Sequence, residues 1–383
     1  MGQAFEVAAI NGEEPELFGG TGVQKCVENG YIVALEDVKG SEKILDEIDD
    51  SELIDNFNTY KGKTYTIPIE SSFGSLVYNK DLFKQAGIVD EKGEAKPPRT
   101  WKEFREAAKK ISDLGENIYG VAYPLKFASW FFYDVSFNVA NEKGYIEFNH
   151  NTGEIDASGY APWLQSVVDV INDGSAYPGS ETLDNDPARA RFSEGQIGMK
   201  FAFTWDYDVF TKQFPAKCDW GVTVCPVSDV NNCYYNNKSQ SESFMIGRKM
   251  KEKLTDEQIV EVFDYFPNKE FQLKKYEAGT AFPWKEEVYD MADATKLTPQ
   301  WKAWGEVSKS CIQRPRTPQK DMTGERTLDE IFRQDILQGK KTVEEGIKEY
   351  EEGVRRAIAK YAELHPEEAD KNYIYPDLDT KMK

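Results

Sequence analysis

At 383 residues the chain is too long for one ordinary domain and suits two. Its 47 Lys+Arg against 67 Asp+Glu leave a formal net charge of −20. That excludes the basic footprint that a nucleic-acid backbone or an anionic membrane surface requires, and otherwise reads as solubility. No apolar run approaches the ~20 residues of a membrane span. Met1-Gly2-Gln3-Ala4-Phe5 has neither a basic start nor an apolar stretch, so no signal peptide is read there.

In chain order, Pro15 to Phe18 reads as a short strand entering the turn Gly19-Gly20-Thr21-Gly22, and Val23 to Glu28 as a helix closed by Asn29-Gly30. Residues 36–55 have an acidic, helical pattern. Lys63 to Ile69 alternates as a strand, and Leu76-Val77-Tyr78 is another, ended by Asn79-Lys80-Asp81. Thr100 with Glu103 forms a capping box ahead of a helix whose apolar face carries Trp101, Phe104 and Ala108. Tyr119 to Ala122 returns as a strand. An aromatic run follows at 127–139, then a helix at 160–173 and a strand at Ile197 to Phe203. Helices are expected at 255–266, 268–278, 299–308 and 342–364. Strands alternating with helices mean α/β.

Chemistry-bearing motifs are sparse. His150 and His365 lie in no metal-ligand spacing, Gly-x-Ser-x-Gly and the Walker A loop are absent, and Gly19 to Gly22 is a turn rather than a dinucleotide fingerprint. No metal, cofactor or catalytic residue is expected. A glycosidase needs only two carboxylates, so a glycan-cleaving enzyme stands as an alternative. Cys26, Cys218, Cys225, Cys233 and Cys311 contain no Cys-x-x-Cys pair. The spacing of the middle three leaves one disulfide open, with buried thiols the favoured reading.

Several segments follow one another along the chain: Ile67-Pro68, Leu76 to Phe83, Ala86-Gly87-Ile88, Pro98 to Phe104, Tyr119-Gly120, Phe192 to Met199 followed by Trp205, Asp219 to Pro226, and Gly339 to Gly346. In that order and spacing the chain resembles the family 1 extracellular solute-binding proteins of ABC importers, which include maltose- and oligosaccharide-binding proteins. The resemblance implies a two-lobed, type II periplasmic-binding-protein-like fold with three interlobe crossovers. Lobe one would be 1–72 with 243–310, and lobe two 73–242 with 311–383. It implies capture of a carbohydrate in the interlobe cleft, ABC transporter permease subunits as partners, no catalysis, and a place outside the cell membrane, periplasmic or lipid-anchored. A polyamine or other non-sugar solute on the same scaffold is the alternative ligand. Phe5 to Leu17 looks like the family's second helix and third strand. The resemblance therefore predicts a helix over 1–12 packed on lobe one, and a sheet position beside residues 15–18, where an opening βαβ-sized unit of ~30 residues would sit, that is empty or filled by another chain.

The same resemblance nominates site residues. A sugar's C–H faces need flat apolar partners and its hydroxyls need fixed donors and acceptors. Trp205 and Tyr207 match sugar-stacking aromatics, and Phe127 and Trp130 the wall of lobe two. Glu70, Ser72 and Phe73 lie at the first crossing, Thr21 on the rim of lobe one, and Trp284 at the cleft edge. Arg326 stands where a relative has a stacking Trp, with Arg314 and Arg316 nearby. A guanidinium there raises the prospect of an acidic sugar such as a uronate, with an arginine on a surface helix, paired by protein carboxylates, the favoured reading.

Overall fold

The structure is a computed structural model and describes residues 2–19, 22–49, 52–127, 139–366 and 371–382. Its strands, in chain order, are β1 (Leu17–Phe18), β2 (Ile32–Val33), β3 (Thr59–Tyr60), β4 (Lys63–Thr64), β5 (Pro68–Ser72), β6 (Gly74–Asn79) and β7 (Tyr119–Val121). These are followed by β8 (Ile197–Phe203), β9 (Trp220–Thr223), β10 (Asn236–Asn237), β11 (Ser239–Glu242), β12 (Met245–Gly247), β13 (Phe282–Pro283) and β14 (Cys311–Ile312). The chain divides into two compact units, Met1–Ser72 with Ser239–Leu297 and Phe73–Lys238 with Thr298–Lys383.

The first unit is built from short pieces. β12 pairs antiparallel with β1 on one side and β2 on the other, and β5 lies between β11 and β13. β3 and β4 form a hairpin. Its two turn residues, Lys61 and Gly62, both adopt positive φ (51° and 74°), the twist that a two-residue hairpin demands. Ile67, Ile246, Ile259 and Phe263 fill one core, and Phe18, Val23, Ile32, Tyr65 and Met245 a second. The helix Gly2–Ile10 lays Phe5 against Phe18, ring centroids 4.4 Å apart, and leaves Val7 and Ile10 exposed. Among the described strands β1 pairs with β12 alone. The helical pattern over 36–55 is not one continuous helix: among the described residues Leu35–Asp37 and Glu42–Leu45 are separate short helices, with Gly40 at φ 93° between them.

The second unit carries one four-stranded sheet in the order β7-β8-β6-β9, with β8 antiparallel to β6 and parallel to β7. Every residue of β6 and β8 is buried, so both faces are covered. The helix Trp101–Ser112 packs on β7 through Phe104, Ala107, Ala108 and Ile111, spaced on one helical face. Its Thr100–Glu103 capping box forms in both directions. The approach is so close that a Cβ on Gly120 would lie 2.3 Å from the Ala108 backbone, which explains a glycine in that strand. Helices Tyr160–Asn172 and Val343–Leu364 pack on each other and extend the same core.

Residues 298–310 correct the expected boundary. The helix Pro299–Ser308 packs on β9, with Trp301 and Trp304 against Tyr207 and Trp220, and so belongs to the second unit. Residues 239–242 likewise fall in the first unit, because β11 pairs with β5. All five cysteines carry thiols, and no disulfide joins Cys218, Cys225 and Cys233. Burial pushes the Cys218 thiol up to about 11 and Cys311 to about 12, which makes them poor nucleophiles.

Candidate functional site

In the second unit, β8 ends at Phe203 and the chain turns sharply. Asp206 Oδ2 accepts the Phe203 N–H at 2.9 Å, and the Tyr207 N–H returns to the Thr204 carbonyl at 3.2 Å. Trp205 sits at the apex of this turn. Its indole lies nearly parallel to the Phe203 ring, centroids 4.5 Å apart and planes 19° apart, and stays 42% exposed. A large apolar ring held flat by a neighbour and left in water is the arrangement that a sugar face would complete.

Beneath it lies a charge network. The Asp206 carboxylate is fully buried and takes the Arg189 guanidinium at 2.6 Å, while Arg189 also reaches Asp186 at 2.9 Å. Lys200, on β8, is fully buried and donates to the Phe201 carbonyl at 3.0 Å. Burial drives its ammonium down to about 8, opposed by the Asp206 charge. Neither residue was nominated from sequence, although a lysine inside the apolar run Ile197 to Phe203 was a visible signal.

Phe127 is also exposed, at 43%. The Lys126 N–H donates to the Leu183 carbonyl, and its ammonium pairs with Asp184 at 3.3 Å. Asp184 caps the helix Asn185–Ser193 that carries Arg189. The neighbours of Phe127 and Trp205, Lys126 and Asp206, thus pair with Asp184 and Arg189 at the cap and within the same helix. Trp130 and Thr21 lie outside the described residues.

Other nominated residues are placed differently. Tyr207, two residues beyond Trp205, turns inward onto Trp301 at 4.6 Å and shares a hydrogen bond with Thr298 Oγ1 at 3.0 Å. It is core, because the short helix Asp206–Asp208 points it under the sheet while Trp205 stays at the apex. Phe73 is fully buried at the start of the second unit. In the first unit β5 brings Glu70 opposite Pro283 and so close to Trp284. Glu70 is ion-paired with Lys275, Ser72 is buried opposite Ser239, and Trp284 is buried with its N–H on Glu52 at 2.9 Å. Trp284 is therefore a packing residue rather than an edge residue. Phe244, not nominated, is 48% exposed beside Gly19.

Arg326 is held by protein carboxylates rather than left for a ligand acid. Its guanidinium is held by Asp335 at 2.8 Å and Glu349 at 3.0 Å, and Lys341 shares both carboxylates. With its charge matched by the protein, the expectation of an acidic ligand loses its basis. Arg314 is buried and spends its terminal nitrogens on the Gly144 and Tyr235 carbonyls. Among the described residues no group of three His, Cys, Asp or Glu is placed to hold a metal ion, and no helix is long and apolar enough to cross a membrane.

A family model described as bacterial extracellular solute-binding protein matches residues 1–236. The sn-glycerol-3-phosphate-binding periplasmic protein of Brucella abortus is 30% identical over 210 residues, 50% of this chain and 45% of that protein. The chain spans about half the length of the curated relatives it matches. Among solved structures, a chitin oligosaccharide binding protein superposes with a TM-score of 0.67 at 19% identity, covering 93% of this chain and 86% of that one. The maltose/maltodextrin-binding domain from Bdellovibrio bacteriovorus, bound to maltotriose, gives 0.64 at 19% identity, covering 93% and 88%.

Proposed function

The chain belongs to the bacterial extracellular solute-binding proteins, and from that premise we propose that it is the substrate-binding component of an ABC importer, capturing a sugar or oligosaccharide outside the cell membrane without catalysis. The observation that carries the ligand class is the exposed, Phe203-backed indole of Trp205 at the end of a fully buried strand. The two oligosaccharide-binding proteins that share the fold support the same class. The partners proposed are the permease subunits of the importer.

The test is a thermal-shift screen with maltotriose, chito-oligosaccharides, glucuronate, sn-glycerol 3-phosphate and spermidine, followed by titration calorimetry on each hit. A ligand at a hundredfold excess over Kd stabilises by ~2.7 kcal/mol, well within detection. Trp205→Ala is expected to weaken sugar binding by about 1–3 kcal/mol with the fold retained. Stabilisation by spermidine or the phosphate ester alone would assign a non-sugar ligand. Appearance of cleaved product would make the protein an enzyme.

A further inference from the structure

We propose that Arg189 and Asp206 are positioning residues for the Trp205 face: the buried ion pair between them fixes the turn that presents the indole. The proposal rests on the reading of Trp205 as a ligand platform. Asp206 joins three parts of the site. One carboxylate oxygen holds the Phe203 N–H, whose ring backs the indole; the other holds Arg189 from the helix Asn185–Ser193; and the backbone of Asp206 follows Trp205 directly. The carboxylate is fully buried and would not remain there charged without a cation. Arg189 supplies it and is itself oriented by Asp186. Lys200, buried on the adjoining strand, adds a second positive group whose field acts on Asp206.

Beside the backbone bond of Tyr207 to Thr204 and the pairing of Phe203 with Gly74, no other side-chain hydrogen bond on Phe203, Thr204 or Trp205 is seen among the described residues, so this bracket is the side-chain restraint on the turn. An apolar residue at 189 would leave the buried carboxylate without its guanidinium partner, and the turn that the pair brackets would loosen. Asp206→Asn keeps an oxygen for the Phe203 N–H and removes the charge, which separates the two functions.

The test labels the full-length protein with 5-fluorotryptophan and assigns the Trp205 resonance by its loss in Trp205→Phe. Arg189→Met and Asp206→Asn are expected to shift or broaden that resonance while the other tryptophan resonances hold, and Arg189→Lys to restore most of it. Calorimetry with maltotriose and with chitotriose then completes a double-mutant cycle. Arg189→Met should cost about tenfold in affinity in the native background and nothing further in Trp205→Ala. An unmoved Trp205 resonance in Arg189→Met, or losses that multiply, would overturn the positioning role. If every tryptophan resonance moves, Arg189 is a general stability residue and the proposal is likewise refuted. A moved resonance with sugar binding indifferent to Trp205→Ala would instead sink the platform reading and leave the positioning role standing.

Discussion

β8 and β1 are both apolar strands, and they end in opposite settings. β8 is paired on both sides and none of its seven residues is exposed, whereas β1 is two residues long, is paired on one side among the described strands, and relies on Phe5 for cover. The exposed Trp205 follows the end of β8, so this surface aromatic is mounted on a fully buried strand paired on both sides. A site built on a strand end keeps its geometry better than one built on a loop. The first unit instead distributes its burial over short strands and two small cores.

The sharpest test of that contrast is deletion of one ring from each strand. Phe201→Ala, in the centre of β8 against Phe104, is expected to cost about 3–5 kcal/mol in urea unfolding. Phe18→Ala in β1 should cost less than that range, because Phe5 on its exposed helix can settle into the gap. Equal losses would break the comparison.

Lys200 provides a second test. Its ammonium is lowered from 10.5 to about 8 by burial. Below pH 8 both folded and unfolded chains carry the proton, and the folded state bears the full cost of burying it. Between pH 8 and 10.5 the unfolded chain binds more protons, so stability rises with pH through that window. The stability of the native protein relative to Lys200→Met should therefore climb by about 3 kcal/mol from pH 8 to pH 10.5. A flat difference would show that Lys200 is solvated in solution. This comparison also removes the opposing slope of the buried thiols and tyrosines, which both proteins share.

The smallest effect is expected at Arg326. Its ion pairs lie partly in solvent, with the side chain 36% exposed. Arg326→Ala should change stability by less than ~1 kcal/mol and leave sugar affinity untouched. A loss of affinity for glucuronate alone would restore the acidic-ligand expectation.

Local rules carried much of the chain from sequence. The capping box at Thr100, the strand at Ile197 to Phe203 and the helix at Pro299–Ser308 depend on neighbours within a few residues, so each was legible in the linear order. Trp205, nominated through its place after Met199, is exposed and stacked on Phe203. What failed depended on distant partners. Tyr207 differs from Trp205 only in which way a turn faces, and that direction is set by Trp301, 94 positions along the chain from it. The choice between a ligand acid and a protein carboxylate for Arg326 stayed open in the sequence because its carboxylates, Asp335 and Glu349, come from two other segments.

The sequence by itself determined an α/β chain of two units, most helix starts, the family, and an aromatic candidate for the ligand face, because hydrophobic period, capping chemistry and motif order are properties of neighbours. Only the tertiary structure decided which unit owns residues 298–310, that Trp284 and Tyr207 are packed inward, and that Asp206 pairs with Arg189 within electrostatic reach of buried Lys200. The physical reason is that a buried charge or ring is placed by whatever pays its desolvation, and here those partners come from elements far apart in the chain.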